Sequence, residues 1–193
     1  IKRLFKNNYR KKALFLEIYL LSKLKGTSYM KIREIQPSDA KAFSHLCQEI
    51  DESGFMLYDP GERMIDIEKE EKRIKRILGD DRSTILVVEE NEQLIGYMIA
   101  IGGSVKRTRH SAYLVLGVSK KHRGKGIAKQ LFEEMFRWAK EREFTRLELT
   151  VIKDNENAFL LYRKMGFIIE GEKVHSLMID GNPVNEYYLY KLI

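Results

Sequence analysis

The segment SAYLVLGVSKKHRGKGIAKQLF, residues 111–132, constrains the fold most. An apolar, strand-like run ends at Val118, and a helix-patterned run begins at Ile127. Between them Gly124 and Gly126 sit among Lys120, Lys121, Arg123 and Lys125. A buried strand that runs almost directly into a helix belongs to a sheet with helices on its faces. At such a junction the first backbone N–H groups of the helix lack partners, and the helix dipole adds about half a positive charge. Glycine removes the side chains that would hold a ligand away from those amides. Read alone, the loop fits a solvated basic turn and a phosphate cradle equally. The spacing is neither the GxxxxGK[ST] of a Walker A loop nor the GxGxxG of a dinucleotide fingerprint.

The chain around this junction alternates between strand and helix patterns from Met30 onward. MKIREI reads as a strand, and Pro37-Ser38-Asp39 opens a helix that runs towards Ser53-Gly54. FMLYDPGE reads as a loop. ERMIDIEKEEKRIKRILG reads as a helix with Met64, Ile67, Ile74 and Leu78 along one face, ended by Gly79. STILVVEE and LIGYMIAI form a hairpin across Asn91-Glu92-Gln93, and SAYLVLGVS is a further strand. After the loop come the helix IAKQLFEEMFRWAKERE, the strand RLELTVI and the helix NENAFLLYRKMG. Two strands, FIIEGEKVHSLMI and VNEYYLYKLI, close the chain around a turn at Asp180-Gly181-Asn182-Pro183. The order β-α-α-β-β-β-α-β-α-β-β predicts one α/β (α+β) domain over residues 30–193. Its mixed, mostly antiparallel twisted sheet has about seven strands, flanked by about four helices.

Charge separates this domain from what precedes it. Residues 1–29 carry eight Lys or Arg and one acid, Glu17, whereas residues 30–193 carry 27 basic and 27 acidic side chains. The net charge of +7 therefore belongs to the N-terminal segment, and the main domain is no polyanion binder by bulk charge. Nucleic acid is not an expected partner. IKRLFKNNYRKKALFLEIYLLSKLKGTSY reads as a basic amphipathic extension. Its apolar run is interrupted by Glu17, lacks a small-x-small cleavage site, and is too short to span a bilayer. A docking helix is one reading, and an upstream extension before a natural start at Met30 is the other. The single cysteine, Cys47, excludes an internal disulfide and suits a reducing, cytoplasmic setting; a small buried side chain is its expected role. The four histidines lack ligand spacing, so no metal site is expected.

A second feature follows the loop by about thirty residues. In NENAFLLYRKMGF, Asn155 can cap a helix, with Tyr162 two turns further along the same face. An aromatic within FLLY serves a core as readily as a reaction. Together, however, LGVSKKHRGKGIAKQLF and ELTVIKDNENAFLLYRKMGFIIEG resemble the GNAT superfamily of acetyl-CoA-dependent N-acetyltransferases. The phosphate-loop motif Gln/Arg-x-x-Gly-x-Gly/Ala is matched by Lys121-His122-Arg123-Gly124-Lys125-Gly126, with Lys121 departing at the first position while keeping the charge. The motif Asn-x-x-Ala followed by Leu-Tyr-x-x-x-Gly-Phe is met by Asn155, Ala158, Leu161, Tyr162, Gly166 and Phe167. The resemblance covers residues 30–193. FMLYDPGER, RTRHSAYL and the C-terminal IIEGEKVHSLMIDGNPVNEYYLYKLI are similar to bacterial N-acetyltransferases of amino acids and other small amines.

The resemblance implies direct acetyl transfer from acetyl-CoA to a primary amine in a ternary complex, with no metal. It implies a cofactor site at Leu116, Gly117 and Val118, at Arg123, Gly124, Lys125, Gly126, Ile127, Ala128 and Lys129, and at Asn155, Ala158 and Tyr162. The N–H of Val118 is then the oxyanion donor, and a bulge at Gly117 would splay the neighbouring strand. A phenol stays protonated at neutral pH, so Tyr162 suits proton donation to the leaving thiolate. Glu148 and His110 are candidates for the base, against an exposed strand residue and a packing role respectively. Tyr58, Glu62 and Arg63 are candidates for acceptor binding, with Arg63 set to meet a carboxylate or simply to start a solvated helix. Acetylation of protein N-termini, as on ribosomal proteins, and a non-catalytic acyl-CoA-binding module are the alternatives. Monomer and homodimer both stay open.

Overall fold

A computed structural model describes residues 30–193; the expected N-terminal extension lies outside the described residues. Seven strands form one sheet in the order β1-β2-β3-β4-β5-β7-β6. They are β1 (Met30–Glu34), β2 (Thr84–Glu90), β3 (Gln93–Gly102), β4 (Ser111–Val118), β5 (Arg146–Ile152), β6 (Ile168–Ile179) and β7 (Asn182–Leu192). Every neighbouring pair is antiparallel except β4 and β5. The helices are α1 (Ala40–Asp51), α2 (Ile67–Leu78), α3 (Ile127–Glu141) and α4 (Glu156–Lys164).

Strand alternation divides the apolar residues between two cores. Leu86, Val88, Met98, Ala100, Ala112, Leu114, Leu147, Leu149 and Val151 face α3 and α4, where Phe132, Met135, Tyr162 and Phe167 meet them. Ile85, Val87, Tyr97 and Ile99 project from the opposite face onto α1 and α2, against Phe43, Leu46, Ile50, Ile74 and Ile77. The sheet is therefore covered on both faces, which is why its central strands read as nearly continuous apolar runs.

Three local features differ from expectation. Helix α2 starts at Ile67, because Asp66 caps it by accepting from the Lys69 N–H at 2.9 Å. Met64 shares the phase of the helix but lies outside it, 87% exposed, and the buried face consists of Ile74 and Ile77. The hairpins turn on two residues each, Asn91-Glu92 and Asp180-Gly181, all at positive φ, the backbone of a type I′ turn. No bulge occurs at Gly117: the β3–β4 register runs unbroken from Gly96↔Val118 to Gly102↔Ala112. A Cβ on Gly117 would meet the Tyr97 ring at 2.7 Å and Ile50 at 2.9 Å, so glycine here makes room for the second core.

The fork arises elsewhere. Strands β4 and β5 pair only at Ser111↔Arg146, Ala112↔Leu147 and Tyr113↔Glu148, and beyond Tyr113 they part.

Candidate active site

The gap between β4 and β5 opens into a cleft of about 1640 Å³ that reaches the glycine loop at one end and the loop after α1 at the other. That exceeds the roughly 300–1,000 Å³ typical of a single small-molecule pocket, and it leaves room for two substrates.

Backbone geometry sets the chemistry of the β4 wall. The Ser119 N–H donates to the Ile95 carbonyl at 2.9 Å. Antiparallel alternation then turns the N–H and C=O of Leu116 and Val118 away from β3 and into the gap. The Val118 carbonyl takes a bond from Arg123 Nε at 3.1 Å, which folds the loop back against the strand end. Further on, Gly124 and Gly126 have φ of +76° and +78°, and a Cβ at either would stand in open space. Among the described residues, the N–H groups from Gly124 to Lys129 donate to no acceptor. Six unspent donors at a helix start, beside Arg123, Lys125 and Lys129, suit a pyrophosphate. A network pins the start of this loop. His122 bridges Glu90 (3.1 Å) and the Ser119 hydroxyl (3.2 Å), and that hydroxyl donates to Glu49 on α1 at 2.7 Å.

Helix α4 forms the facing wall. Asn155 caps it by accepting from the Ala158 N–H at 3.2 Å. Tyr162, on the next turns, packs edge-on against Phe132 at 5.9 Å and is 8% exposed. Among the described residues its hydroxyl has no hydrogen-bond partner, and the residue lines the cleft. Burial, and secondarily the neighbouring Tyr113, push its phenol well above the ordinary range. It remains a proton donor throughout the neutral range.

Of the residues singled out from sequence, the cleft brings together Leu116, Gly117, Val118, Arg123, Gly124, Gly126, Ile127, Ala128, Lys129, Asn155, Ala158 and Tyr162, with Tyr58, Glu62 and Arg63 at the far end. Lys125 lies at the loop tip outside the lining. Glu148 and His110 are not in the cleft: both line a smaller depression behind Tyr113, with Gly103, Thr108 and Arg146. Glu148 there accepts from Arg146 at 2.9 Å. The His110 carbonyl accepts from the backbone N–H groups of Thr145 and Arg146.

Arg63 is committed within the protein. Its guanidinium bonds the buried Asp51 carboxylate and stacks over the Tyr58 ring at 4.2 Å. Glu62 closes its own turn by accepting from the Asp59 N–H. Among the described residues, Lys69 and Arg76, both on the cleft wall, have no carboxylate partner. Cys47 also lines the cleft, but burial pushes its thiol up to about 12, so it stays protonated.

Sequence reading missed Tyr113, Thr150, Lys173 and Glu186, which line the cleft where the strands part. Alternation held the signal. In RLELTVI, Leu147, Leu149 and Val151 face a core, and Thr150 faces away. In VNEYYLYKLI, Leu189 and Tyr187 do the same, and Glu186 faces away. Among the described residues, no group of three or more His, Cys, Asp or Glu could hold a metal ion. No described helix is long and apolar enough to cross a membrane.

The chain is similar to known proteins. The model of the acetyltransferase (GNAT) family matches residues 45–167. The chain is 25% identical over 161 residues to a spermidine N(1)-acetyltransferase of Escherichia coli, spanning 81% of this chain and 82% of that protein. It is 32% identical over 87 residues to an L-amino acid N-acetyltransferase of the same organism, spanning 45% and 54% of the two chains. A GNAT-family acetyltransferase from Streptococcus pneumoniae superposes with a TM-score of 0.81 at 28% identity, over 86% of this chain and 100% of that one.

Proposed function

Since this chain belongs to the acetyltransferase (GNAT) family, we propose that it transfers acetyl from acetyl-CoA directly to the primary amine of a small molecule, an amino acid or polyamine-like acceptor. The observation that carries this reading is the continuity of one cleft, from unspent loop amides, through the fork, to a polar pocket. The loop and its cations hold the pyrophosphate, and the free edge of β4 receives the pantetheine arm. Acetyl-CoA supplies the activated acetyl group. The Val118 N–H, turned into the gap, meets the charge that develops on the thioester oxygen, and Tyr162 protonates the departing thiolate. The reaction is assigned to the cytoplasm, where a free thiol such as Cys47 persists.

Charge favours an acceptor that carries a carboxylate. The far limb holds Arg63, Lys69, Lys72, Arg73 and Arg76 against Glu62, Asp66 and Glu70. Several of these are internally paired, but Lys69 and Arg76 remain for an anion. A thiol-release assay over amino acids, their carboxamides and spermidine tests the reading. Amino acids are expected to have the highest kcat/KM. Equal turnover of acids and carboxamides removes the carboxylate, and no release with any small amine removes the small-molecule acceptor.

A further inference from the structure

The parting of β4 and β5 leaves a chain of side chains across three strands. Tyr113 is the last β4 residue paired with β5, opposite Glu148. Its hydroxyl lies 2.8 Å from Thr150 Oγ1, two residues beyond Glu148 on the same face of β5. Thr150 pairs with Tyr188 of β7, so Glu186 is its diagonal neighbour, near enough for a long side chain to reach. Thr150 and Glu186 thus present a hydroxyl and a carboxylate to the same stretch of the cleft. Lys173 of β6 holds the carboxylate, its Nζ 3.0 Å from Oε2, and the nearby Ser176 hydroxyl donates to the Val184 carbonyl. All five side chains line the cleft, and Glu186 is only 8% exposed.

We propose that Tyr113, Thr150 and Glu186 form a proton relay that carries the acceptor amine's proton away from the fork as the C–N bond forms. The proposal rests on the fork being the place of acetyl transfer.

Elimination supports it. The other carboxylates lining the cleft, Glu62, Asp66 and Glu70, are partnered by the Asp59 N–H, the Lys69 N–H and the Arg73 guanidinium, as Glu186 is by Lys173, so position and not pairing distinguishes Glu186. Glu148 and His110 lie behind Tyr113, outside the cleft. Among the described cleft carboxylates, Glu186 alone stands beside the Tyr113–Thr150 hydroxyl pair at the place where the strands part. Burial draws its carboxyl up, but the hydroxyl of Thr150, the Lys173 ammonium and the hydroxyl of Ser176 nearby bring it below the ordinary range, so it is ionised. A weak base suffices, because the nitrogen becomes strongly acidic once it bonds to the carbonyl carbon. The charged and titratable groups around the relay are Lys173 on β6, Tyr162 on α4, and Glu148 and Tyr188 behind Tyr113.

The step balances. The amine nitrogen forms the C–N bond, the C–S bond breaks, and the sulfur leaves with the bonding pair and takes the proton of Tyr162. The nitrogen gives its proton to the Tyr113 oxygen, Tyr113 passes its own to Thr150, and Thr150 passes its own to Glu186. Solvent then returns a proton to Tyr162 and takes one from Glu186. Each hydroxyl ends with the proton count it began with.

Groups that act as a unit have non-additive effects. Steady-state kinetics of the parent, Glu186→Gln, Thr150→Val, Tyr113→Phe and the double variant T150V/E186Q, with the best amine of the acceptor panel, test the relay. Each single variant should lower kcat about 100-fold, within the range for general base catalysis. Acetyl-CoA affinity should be unchanged, and the double variant should be no slower than either single one. A solvent isotope effect that involves several protons in the parent should shrink to that of one in each variant. Parental kcat in Glu186→Gln, or losses that multiply in the double variant, would overturn the relay while leaving the acetyl-transfer reading intact. A parent that acetylates no amine overturns both. If Glu186→Gln does not fold, Thr150→Val and Tyr113→Phe decide by the same criteria.

Discussion

Tyr162 combines two properties that a surface tyrosine cannot have together. The ring is anchored between Phe132 and Phe167, with centroids 5.9 and 6.2 Å away, so the hydroxyl has little freedom to wander. Burial holds the phenol un-ionised well past its ordinary range. The folded chain therefore keeps a fixed donor at pH values where a free phenol would already have lost its proton. Tyr162→Phe removes the donor and leaves the ring packing. Turnover is expected to fall about 100-fold with acetyl-CoA affinity nearly unchanged, within the range general acid catalysis contributes. Stopped thiol release alongside calorimetric binding measures both. Unchanged turnover with the best acceptor would remove Tyr162 from proton transfer. The same scale explains why Arg63 differs from its expected role: a buried Asp51 requires a partner, and Arg63 supplies it.

At the scale of elements, the half of the site carried by contiguous residues was legible in the sequence and the other half was not. The loop from Ser119 to Gly126, the start of α3 and the cap of α4 are local, so glycine spacing and the Asn155 cap announce them. The proposed acceptor side is assembled from α1, α2, β5, β6 and β7. Nothing in Thr150 or Glu186 individually signals that sheet order sets them side by side across a crossover. Helix α2 shows the converse error: Met64 repeats the helical phase, but the Asp66 side chain starts the helix two residues later. The fork, too, lies in what is absent, since strand pairing stops after Tyr113 without any breaker residue. Gly124 offers the sharpest test of the local half. At φ +76° a β-branched side chain is strained, and its Cβ would occupy the open space over the loop amides. Gly124→Val should reduce acetyl-CoA affinity at least 10-fold, a loss of about 1.4 kcal/mol. Binding as tight as in the parent would refute the cradle.

At the scale of the molecule, the sheet consists of two blocks, β1–β4 and β5–β7, joined by only three residue pairs. The core beneath α3 and α4 spans both blocks, with Leu114 from one and Leu147, Leu149 and Leu189 from the other. Beyond that core the blocks part, and the N–H groups of Leu116 and Val118 face the open gap. Exposed, unpaired amides exchange from the low-stability end of a fold. A ligand that bonds them should protect them and also tie the two blocks together. At 100 times its Kd, acetyl-CoA should stabilise the chain by about 2.7 kcal/mol. Hydrogen exchange with and without acetyl-CoA should therefore show slowing concentrated in two places, Leu116 with Val118, and Gly124 through Lys129. The Gly124→Val variant should lose both together, because one ligand spans them. Slowing confined to the loop would mean that the pyrophosphate binds while the pantetheine arm follows another course. Slowing in β6 and β7 without change at Val118 would place the ligand on the acceptor side and overturn the division of the cleft.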